Sequence, residues 1–379
     1  MKLSKLRVEY IICGLLFLLV LLLLVYAISL PKHFDFRLIF NPYYLIEDFF
    51  GNVYFEIPFA LIFLYIFSKV QIDFILIIWK AIPPYEYYRQ ARGVIFDVLF
   101  TFCFTGISLV FLSLAIKLLF ATAEPHKTAM VSSWLMSIDK AVFGVYPIFA
   151  LHALSSIPRL EWLLIFSYRY LFTILGALFL LLFISKKKRA FRRFVVSFFL
   201  CAILALPMWF FAPAVSPQLM YNKNIFSLDM PKDVEVGLSS LNQSSYFKAF
   251  LNATDRYWLA LGTTAIAVSS NPSMHVAWGI IILYFAFVLW RPLGIILVPW
   301  STFNTIATVY TLQHYAVDVF FGVILGVLAL VFTRQLFVWE ERWCKSGDSS
   351  THARNRPFVY ETLANNIKSF KMFISLGAR

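Results

Sequence analysis

The sequence consists mainly of long apolar runs, separated by short polar or basic stretches. A helix needs about 20 apolar residues to cross a bilayer, and several runs reach that length. The runs are continuous and do not alternate between apolar and polar positions, which favours helices over the strands of a barrel. We therefore predict an all-α polytopic membrane protein with about eight transmembrane helices. The predicted spans are 9–30, 53–69, 95–121, 160–184, 193–211, 274–290, 293–312 and 315–338.

One further apolar segment, 130–157, is not predicted to span the membrane. Asp139 and Lys140 place two charges within it, and Gly144 and Pro147 are residues at which helices end or break. We expect this segment to lie at the membrane interface or to form a re-entrant loop.

Composition agrees with a membrane protein. The chain is 61% hydrophobic and 14% charged, whereas a soluble domain is about 45–50% apolar and about 25% charged. The net charge of +13 would suit nucleic acid, but the basic residues fall in short loops, as the positive-inside rule requires. We therefore expect the bilayer, and no nucleic acid, as a partner. The four cysteines are scattered without a C-x-x-C pair, so neither a metal site nor a disulfide framework is predicted.

The basic loops also predict the orientation and the parts of the chain. The loop 186–193, "KKKRAFRR", carries six basic residues in eight and should be cytoplasmic. Eight spans then leave the loop 212–262 outside and both termini in the cytoplasm. We predict a transmembrane extension at 1–94, a core at 95–339 that includes the external loop, and a basic cytoplasmic tail at 340–379.

Three ionisable residues fall at one level of the predicted topology, at the outer ends of two spans: His275, His314 and Asp318. His314 and Asp318 have the i, i+4 spacing of neighbours on one helix face. The carboxylate can then accept from one imidazole nitrogen and leave the other nitrogen as a nucleophile. Taken alone, this pair fits an ordinary structural His–Asp interaction as well.

The stretch "NPSMH", residues 271–275, adds an anion site to these side chains. Pro272 suits the start of a helix, and Asn271 or Ser273 can cap it. The free amides and the positive end of the helix dipole then attract an anion, with His275 in the first turn. The sequence therefore predicts an anion cradle and two histidines at one membrane face.

These motifs resemble a known family. "NPSMHVAW" and "YTLQHYAVDVFFG" resemble the Pro-Ser-x-His and His-x-x-x-Asp motifs of the type-2 phosphatidic acid phosphatase (lipid phosphate phosphatase) superfamily. "IDKAVFGVYP", residues 138–147, and "WFFAPAVSPQLMY", residues 209–221, resemble its inositol phosphorylceramide synthase branch. The resemblance covers about residues 135–338. It implies a six-helix core with the active site at the external, periplasmic or lumenal face.

The resemblance also implies roles for the residues. His314 would attack phosphorus and become phosphohistidine, and Asp318 would orient it. His275 would protonate the leaving alkoxide and then serve as base for the acceptor, while Ser273 and nearby amides would hold the phosphate oxygens. No metal or other cofactor is implied.

The sequence departs from the family pattern where cations are expected. The first family motif is Lys, six residues, Arg-Pro; Lys186 and Arg193 have that spacing, but Phe194 follows and the loop should be cytoplasmic. Ala307 and Thr308 stand where Ser-Arg usually precedes the third-motif histidine. Because phosphoryl transfer needs charge neutralisation, other cations must supply it. The candidates are Arg169, Lys140, Arg256 and Lys223.

Three functions follow from these observations. The first is transfer of a phospho-head group, of the inositol-phosphate kind, from a phospholipid donor to a long-chain lipid acceptor such as ceramide. The alternative enzyme is a phosphatase of lipid phosphates or polyprenyl diphosphates, with water as acceptor. The third is a transporter or scaffold with a relic site, although the sequence lacks the paired broken helices typical of inverted-repeat transporters. The membrane would be a bacterial inner membrane or that of the Golgi or endoplasmic reticulum.

Overall fold

In a computed structural model, the protein is described over residues 7–30, 84–185, 187–239, 247–252 and 268–346, with single residues 61, 64, 68, 71, 241 and 245. The described helices, numbered in chain order, are α1 (Val8–Ser29), α2 (Pro84–Thr122), α3 (Pro125–Phe143), α4 (Pro147–Ala150), α5 (Pro158–Arg169), α6 (Leu171–Ile184), α7 (Lys188–Phe211), α8 (Lys232–Ser239), α9 (Met274–Leu289), α10 (Arg291–Tyr310) and α11 (Ala316–Ser346). Among these residues the β-type pairing is limited to an isolated bridge between Ala214 and Ser269. The predicted all-α class is confirmed.

Five of the described helices are long and apolar enough to cross a membrane, and the number rises to seven if each of two bent pairs forms one span. The five are α1, the Cys103–Thr122 part of α2, α7, α10 and the Ala316–Trp343 part of α11. Of the eight predicted spans, 53–69 falls almost entirely outside the described residues. The predicted span 274–290 becomes α9, which is apolar but only 16 residues long.

The two bent pairs depart from straight helices. The predicted single span 160–184 is divided by a bend of 54° between α5 and α6, at Tyr170. The segment predicted to be interfacial contains α3, a bend of 71°, and the short helices of Pro147–Ser156, a geometry that fits a broken span or a re-entrant loop. Gly144 ends α3 in the left-handed conformation, with a φ of 72°, which glycine adopts without a Cβ penalty.

The helices enclose two apolar clusters. The larger cluster contains buried residues of α1, α2, α6, α7, α9 and α11. The smaller cluster joins α3 and α5 to the residues around Ala214–Tyr221 and to the chain between α10 and α11. The helix starts and turns that carry the predicted site lie where these two clusters meet, since Met274 belongs to the first and Tyr315 to the second.

An ion cluster at the basic end of α7 fastens α1 to the rest of the protein. The guanidinium of Arg192 donates to Glu9 of α1 at 2.7 Å and to Glu340 of α11 at 2.8 Å. The segment predicted as an extension at 1–94 therefore begins with a helix that packs on the core. Helix α11 continues to Ser346, so the predicted boundary of the tail at residue 340 falls inside a helix.

Helices α9 and α11 approach closely at two glycines spaced as G-x-x-x-G. A Cβ on Gly322 would lie 2.5 Å from the carbonyl oxygen of Ser273, and one on Gly326 would lie 2.8 Å from that of Ala277. Small residues at this spacing let membrane helices pack backbone to backbone. The contact sets the start of α9 against the first turns of α11, and so brings the two histidine motifs together.

Candidate active site

His314 lies in a turn between two helices, because α10 ends at Tyr310 and α11 begins at Ala316. The amide of His314 donates to the carbonyl oxygen of Thr308 at 3.0 Å, and Leu312 takes a φ of 58°. The amide of Gln218, from the segment after α7, donates to the carbonyl of Leu312 at 2.9 Å. The prediction that His314 and Asp318 share one helix face is therefore wrong for His314, which precedes the helix that carries Asp318.

The imidazole of His314 is oriented by a backbone carbonyl. Its Nδ1 is 2.7 Å from the carbonyl oxygen of Ser270, and the residue is only 5% exposed. Because a carbonyl oxygen can only accept, Nδ1 carries the proton and donates. In the neutral imidazole, Nε2 then keeps its lone pair, as a nucleophile requires.

Asp318 acts on His314 through Ser270. Its Oδ2 is 3.8 Å from His314 Nδ1, which is too far for a hydrogen bond. The same oxygen accepts from Ser270 Oγ at 2.8 Å and from the backbone amide of Tyr315 at 3.0 Å. The predicted direct hydrogen bond between Asp318 and His314 is therefore not formed. Instead, both residues bond to Ser270: Asp318 accepts from its hydroxyl, and His314 donates to its carbonyl, because the turn before α11 points the imidazole at that carbonyl.

Asp139 of α3 caps α11 from another helix. Its two carboxylate oxygens accept from the backbone amides of Ala316 and Val317, each at 2.8 Å, and the residue is fully buried. The first amides of a helix have no partner within the helix, and a carboxylate there also interacts favourably with the helix dipole. Asp139 therefore fixes the helix start that follows His314 by two residues.

Ser273 is the N-cap residue of α9, as the sequence predicts, but its hydroxyl makes no capping bond. Its backbone amide donates to the carbonyl of Asp318 at 3.2 Å, which ties α9 to α11. The hydroxyl of Ser273 and Oδ1 of Asn271 are buried without a hydrogen-bond partner among the described residues. Unpaired buried oxygens are unusual, and these lie beside the free amides of a helix start.

His275 faces His314 across a short gap. The ring centroids are 5.9 Å apart, with the planes inclined by 60°. On its other side the ring of His275 stacks on Tyr168, with centroids 4.0 Å apart and planes inclined by 10°. Asn304 of α10 donates to the carbonyl of His275 at 3.1 Å and so holds its backbone. The structure thus brings the two predicted histidines together at the start of α9.

The candidate cations are placed differently from the histidines. Lys140 is exposed, and its amino group forms an ion pair with Asp233 of α8 that lowers the pKa of that carboxyl. Arg169 is exposed at the end of α5, beside the bend, and not deep inside a span as its sequence position indicated. Lys223 is exposed after the π-helical turn Gln218–Asn222. Arg256 lies outside the described residues.

Several residues that build the site carry no signal of their role in the sequence. Ser270, Tyr168 and Asn304 touch the predicted site residues, but each lies in a stretch without a motif of its own. In the sequence, Asp139 indicates only a charge that interrupts an apolar segment. His152 belongs to the segment 130–157, which is predicted to be interfacial or re-entrant, and it is buried. Its ring stacks on Tyr310 at 4.7 Å, and its Nε2 lies 3.1 Å from the carbonyl oxygen of Tyr310, at the end of α10.

The part of the chain that contains this site matches a known protein family. The family model of the PAP2 superfamily, the type-2 phosphatidic acid phosphatases, matches residues 133–332, which is more than half of the chain. The chain therefore belongs to the PAP2 superfamily and is a membrane-embedded phosphatase or phosphotransferase of lipid-like substrates. No curated protein and no solved structure matches it.

Proposed function

We propose that this protein is a lipid phosphotransferase that moves a phospho-head group, of the inositol-phosphate kind, from a phospholipid to a long-chain lipid hydroxyl such as that of ceramide. The observation that carries the proposal is the facing pair of His275 and His314, 5.9 Å apart, beside the start of α9. One histidine has a protonated Nδ1 and a free Nε2, and the other lies across the gap with an accessible edge. A phosphoryl group between them meets a nucleophile on one side and an acid on the other.

In the first half-reaction, Nε2 of His314 attacks the phosphorus of the donor phosphodiester. A nitrogen–phosphorus bond forms, and the bond between phosphorus and the diacylglycerol oxygen breaks. His275, which begins as the imidazolium, gives one proton to that oxygen, so diacylglycerol leaves as a neutral alcohol and His275 becomes neutral. Ser273 Oγ and the first amides of α9 hold the non-bridging oxygens, with Arg169 and Arg256 as the proposed cations.

In the second half-reaction, neutral His275 takes the proton from the hydroxyl of the acceptor lipid. The acceptor oxygen attacks phosphorus, the nitrogen–phosphorus bond breaks, and His314 returns to its starting state. Protons and charges balance over the two steps, and the chain's own residues suffice for every transfer. Water in place of the lipid hydroxyl gives the alternative function, a lipid phosphatase.

The surroundings of the pair support a lipid acceptor over water. His314 is almost fully buried. His275 is partly exposed, but Tyr168 covers one face of its ring, which reduces the approach of bulk water to the gap. The two segments that resemble the inositol phosphorylceramide synthase branch also build the site. Asp139 from the first segment caps α11, while Gln218 and Ala214 from the second donate to Leu312 and accept from Ser270.

The same geometry supports a site at the external or lumenal face. Lys187, in the basic loop, donates to the carbonyls of Val288 and Leu289 at the far end of α9. Helix α9 has 16 residues and is therefore about 24 Å long. If the basic loop is cytoplasmic, the histidines lie at the opposite face.

The test uses the full-length protein in liposomes that contain head-group-labelled phospholipid, with and without ceramide. We expect a labelled phosphosphingolipid and diacylglycerol when ceramide is present, and little release of free head group or phosphate. Release that is independent of ceramide would favour the phosphatase. His314→Ala and His275→Ala should each lower turnover by about 10³-fold or more, and full activity of His314→Ala would overturn the covalent mechanism.

A further inference from the structure

Tyr168 is placed to orient His275 without using either of its ring nitrogens. It is the penultimate residue of α5, two residues before the bend at Tyr170, and Phe172 follows at the start of α6. Tyr168 lies parallel to the imidazole, with centroids 4.0 Å apart, and Phe172 meets it edge-on at 6.2 Å. The bend between α5 and α6 thus wraps two aromatic rings around one histidine.

The two histidines of the site are held by different means. His314 is fixed by a hydrogen bond at Nδ1, whereas the described residues make no hydrogen bond to either ring nitrogen of His275. A hydrogen bond would fix one tautomer and occupy one nitrogen. A stacked ring instead restrains rotation of the imidazole plane and leaves both nitrogens free, as suits a group that must give a proton and then take one.

Further aromatic contacts hold the rings of Tyr168 and Phe172 in place. The ring of Tyr168 packs edge-on against Phe250 at 5.5 Å, and the residue is partly buried. Phe172 in turn rests on Trp278 of α9 at 5.5 Å, and Trp278 stacks on Phe198 of α7. The aromatic contacts around His275 therefore continue through residues of four helices, α5, α6, α7 and α9.

We propose that Tyr168 is a positioning residue for His275, which aims the acid–base nitrogen at the scissile oxygen through the ring and not through the hydroxyl. This inference rests on the proposed function of His275. It predicts that loss of the ring harms the steps that need proton transfer and spares the attack by His314.

The experiment compares two donors in liposomes that contain the full-length protein. One is the natural phospholipid, whose alkoxide leaving group needs a proton; the other is a nitrophenyl phosphodiester analogue, whose leaving group departs without one. For Tyr168→Leu we expect turnover with phospholipid to fall about 10- to 100-fold. The first-turnover burst of nitrophenolate should fall by less than about threefold. Tyr168→Phe should behave like the wild-type protein with both donors.

Control variants separate this role from a structural one. Tyr170→Leu removes a neighbouring, exposed tyrosine and should change neither rate, and Tyr168→Leu combined with His275→Ala should be no slower than His275→Ala alone. An equal loss with both donors, a loss in Tyr168→Phe as large as in Tyr168→Leu, or wild-type activity of Tyr168→Leu would overturn the inference. If Tyr168→Leu does not accumulate in the membrane, Tyr168→Met carries the same comparison.

The same variants test the proposed histidine mechanism independently of the role of Tyr168. If His275→Ala and His314→Ala retain activity with phospholipid, the histidine mechanism itself is wrong. If both lose activity but Tyr168→Leu does not, only the role of Tyr168 is wrong.

Discussion

The carboxylate of Asp139 in α3 accepts a hydrogen bond of 2.8 Å from the backbone amide of Val317 in α11, across 178 residues of sequence. A second bond of the same length goes to Ala316. The start of the helix that follows the turn with His314 is thus held by a side chain from a different helix.

Removal of this cap should destabilise the protein and the site together. Asp139→Ala leaves two buried amides unpaired, and we expect a loss of about 2–5 kcal/mol in the free energy of unfolding. Asp139→Asn keeps one acceptor and should lose about half as much. The measurement is thermal unfolding in detergent, together with transfer activity. Asp229→Asn, an exposed site, is the control, and unchanged stability of Asp139→Ala would contradict the prediction.

Asp318 and Ser270 should matter less than His314, because the carbonyl of Ser270 sets the tautomer. In Ser270→Ala that carbonyl remains, and the loss of one hydrogen bond of about 1 kcal/mol should lower turnover about three- to tenfold. Asp318→Asn disturbs the turn as well and should lower it about 10- to 100-fold. Steady-state transfer assays rank the variants, and an Asp318→Asn defect equal to that of His314→Ala would show that the carboxylate acts directly.

The sequence indicated the histidine pair, but not what surrounds it. Ser273, His275 and His314 sit in short motifs whose chemistry is local, and the topology was enough to bring them to one face. The indirect link between Asp318 and His314 could not be read from the i, i+4 spacing, because the spacing does not reveal that α11 begins at Ala316. The partners of these residues come from distant helices, and no pattern within one segment encodes such contacts.

The close approach of α9 and α11 should make Gly322 intolerant of a side chain. In Gly322→Ala the new methyl group would lie 2.5 Å from the carbonyl oxygen of Ser273. Separation of the helices should cost about 1–3 kcal/mol of stability and widen the gap between the histidines. Gly14→Ala, where no atom lies within 4 Å of the added methyl, is the matched control in another membrane helix. Thermal unfolding and transfer activity are measured for both, and equal behaviour would exclude a tight contact.

The importance of each candidate cation for activity should depend on whether it already has an ion-pair partner in the protein. Lys140 already pairs with Asp233 at the surface, so Lys140→Gln should leave transfer activity within about twofold of wild type. If Arg169 supplies charge to the phosphate, Arg169→Gln should lower activity by at least about tenfold and mainly raise the KM for the phospholipid. Transfer rates measured at several phospholipid contents of the liposomes distinguish the two variants. A larger loss of activity in Lys140→Gln than in Arg169→Gln would assign the phosphate contact to Lys140.

Arg192 should be far more important for stability than its neighbour Arg189. The side chain of Arg192 is 22% exposed and faces Glu9 and Glu340, which are 5% and 12% exposed, whereas Arg189 and Glu341 are 58% and 49% exposed. Arg192→Met leaves two partly buried carboxylates unpaired and should cost about 3–5 kcal/mol. Arg189→Met should cost at most about 1 kcal/mol. Thermal unfolding compares them, and equal shifts would contradict the burial argument.

The bond between Glu9 and Arg192 has a consequence for biogenesis. Glu9 is synthesised 183 residues before the arginine that neutralises it. Until Arg192 has been made, the carboxylate of Glu9 lacks this partner and must stay in contact with water at the membrane surface, at the end of the first helix. The ion cluster at this end of α1 can therefore be completed only after α7 and α11 have been made, since they supply Arg192 and Glu340.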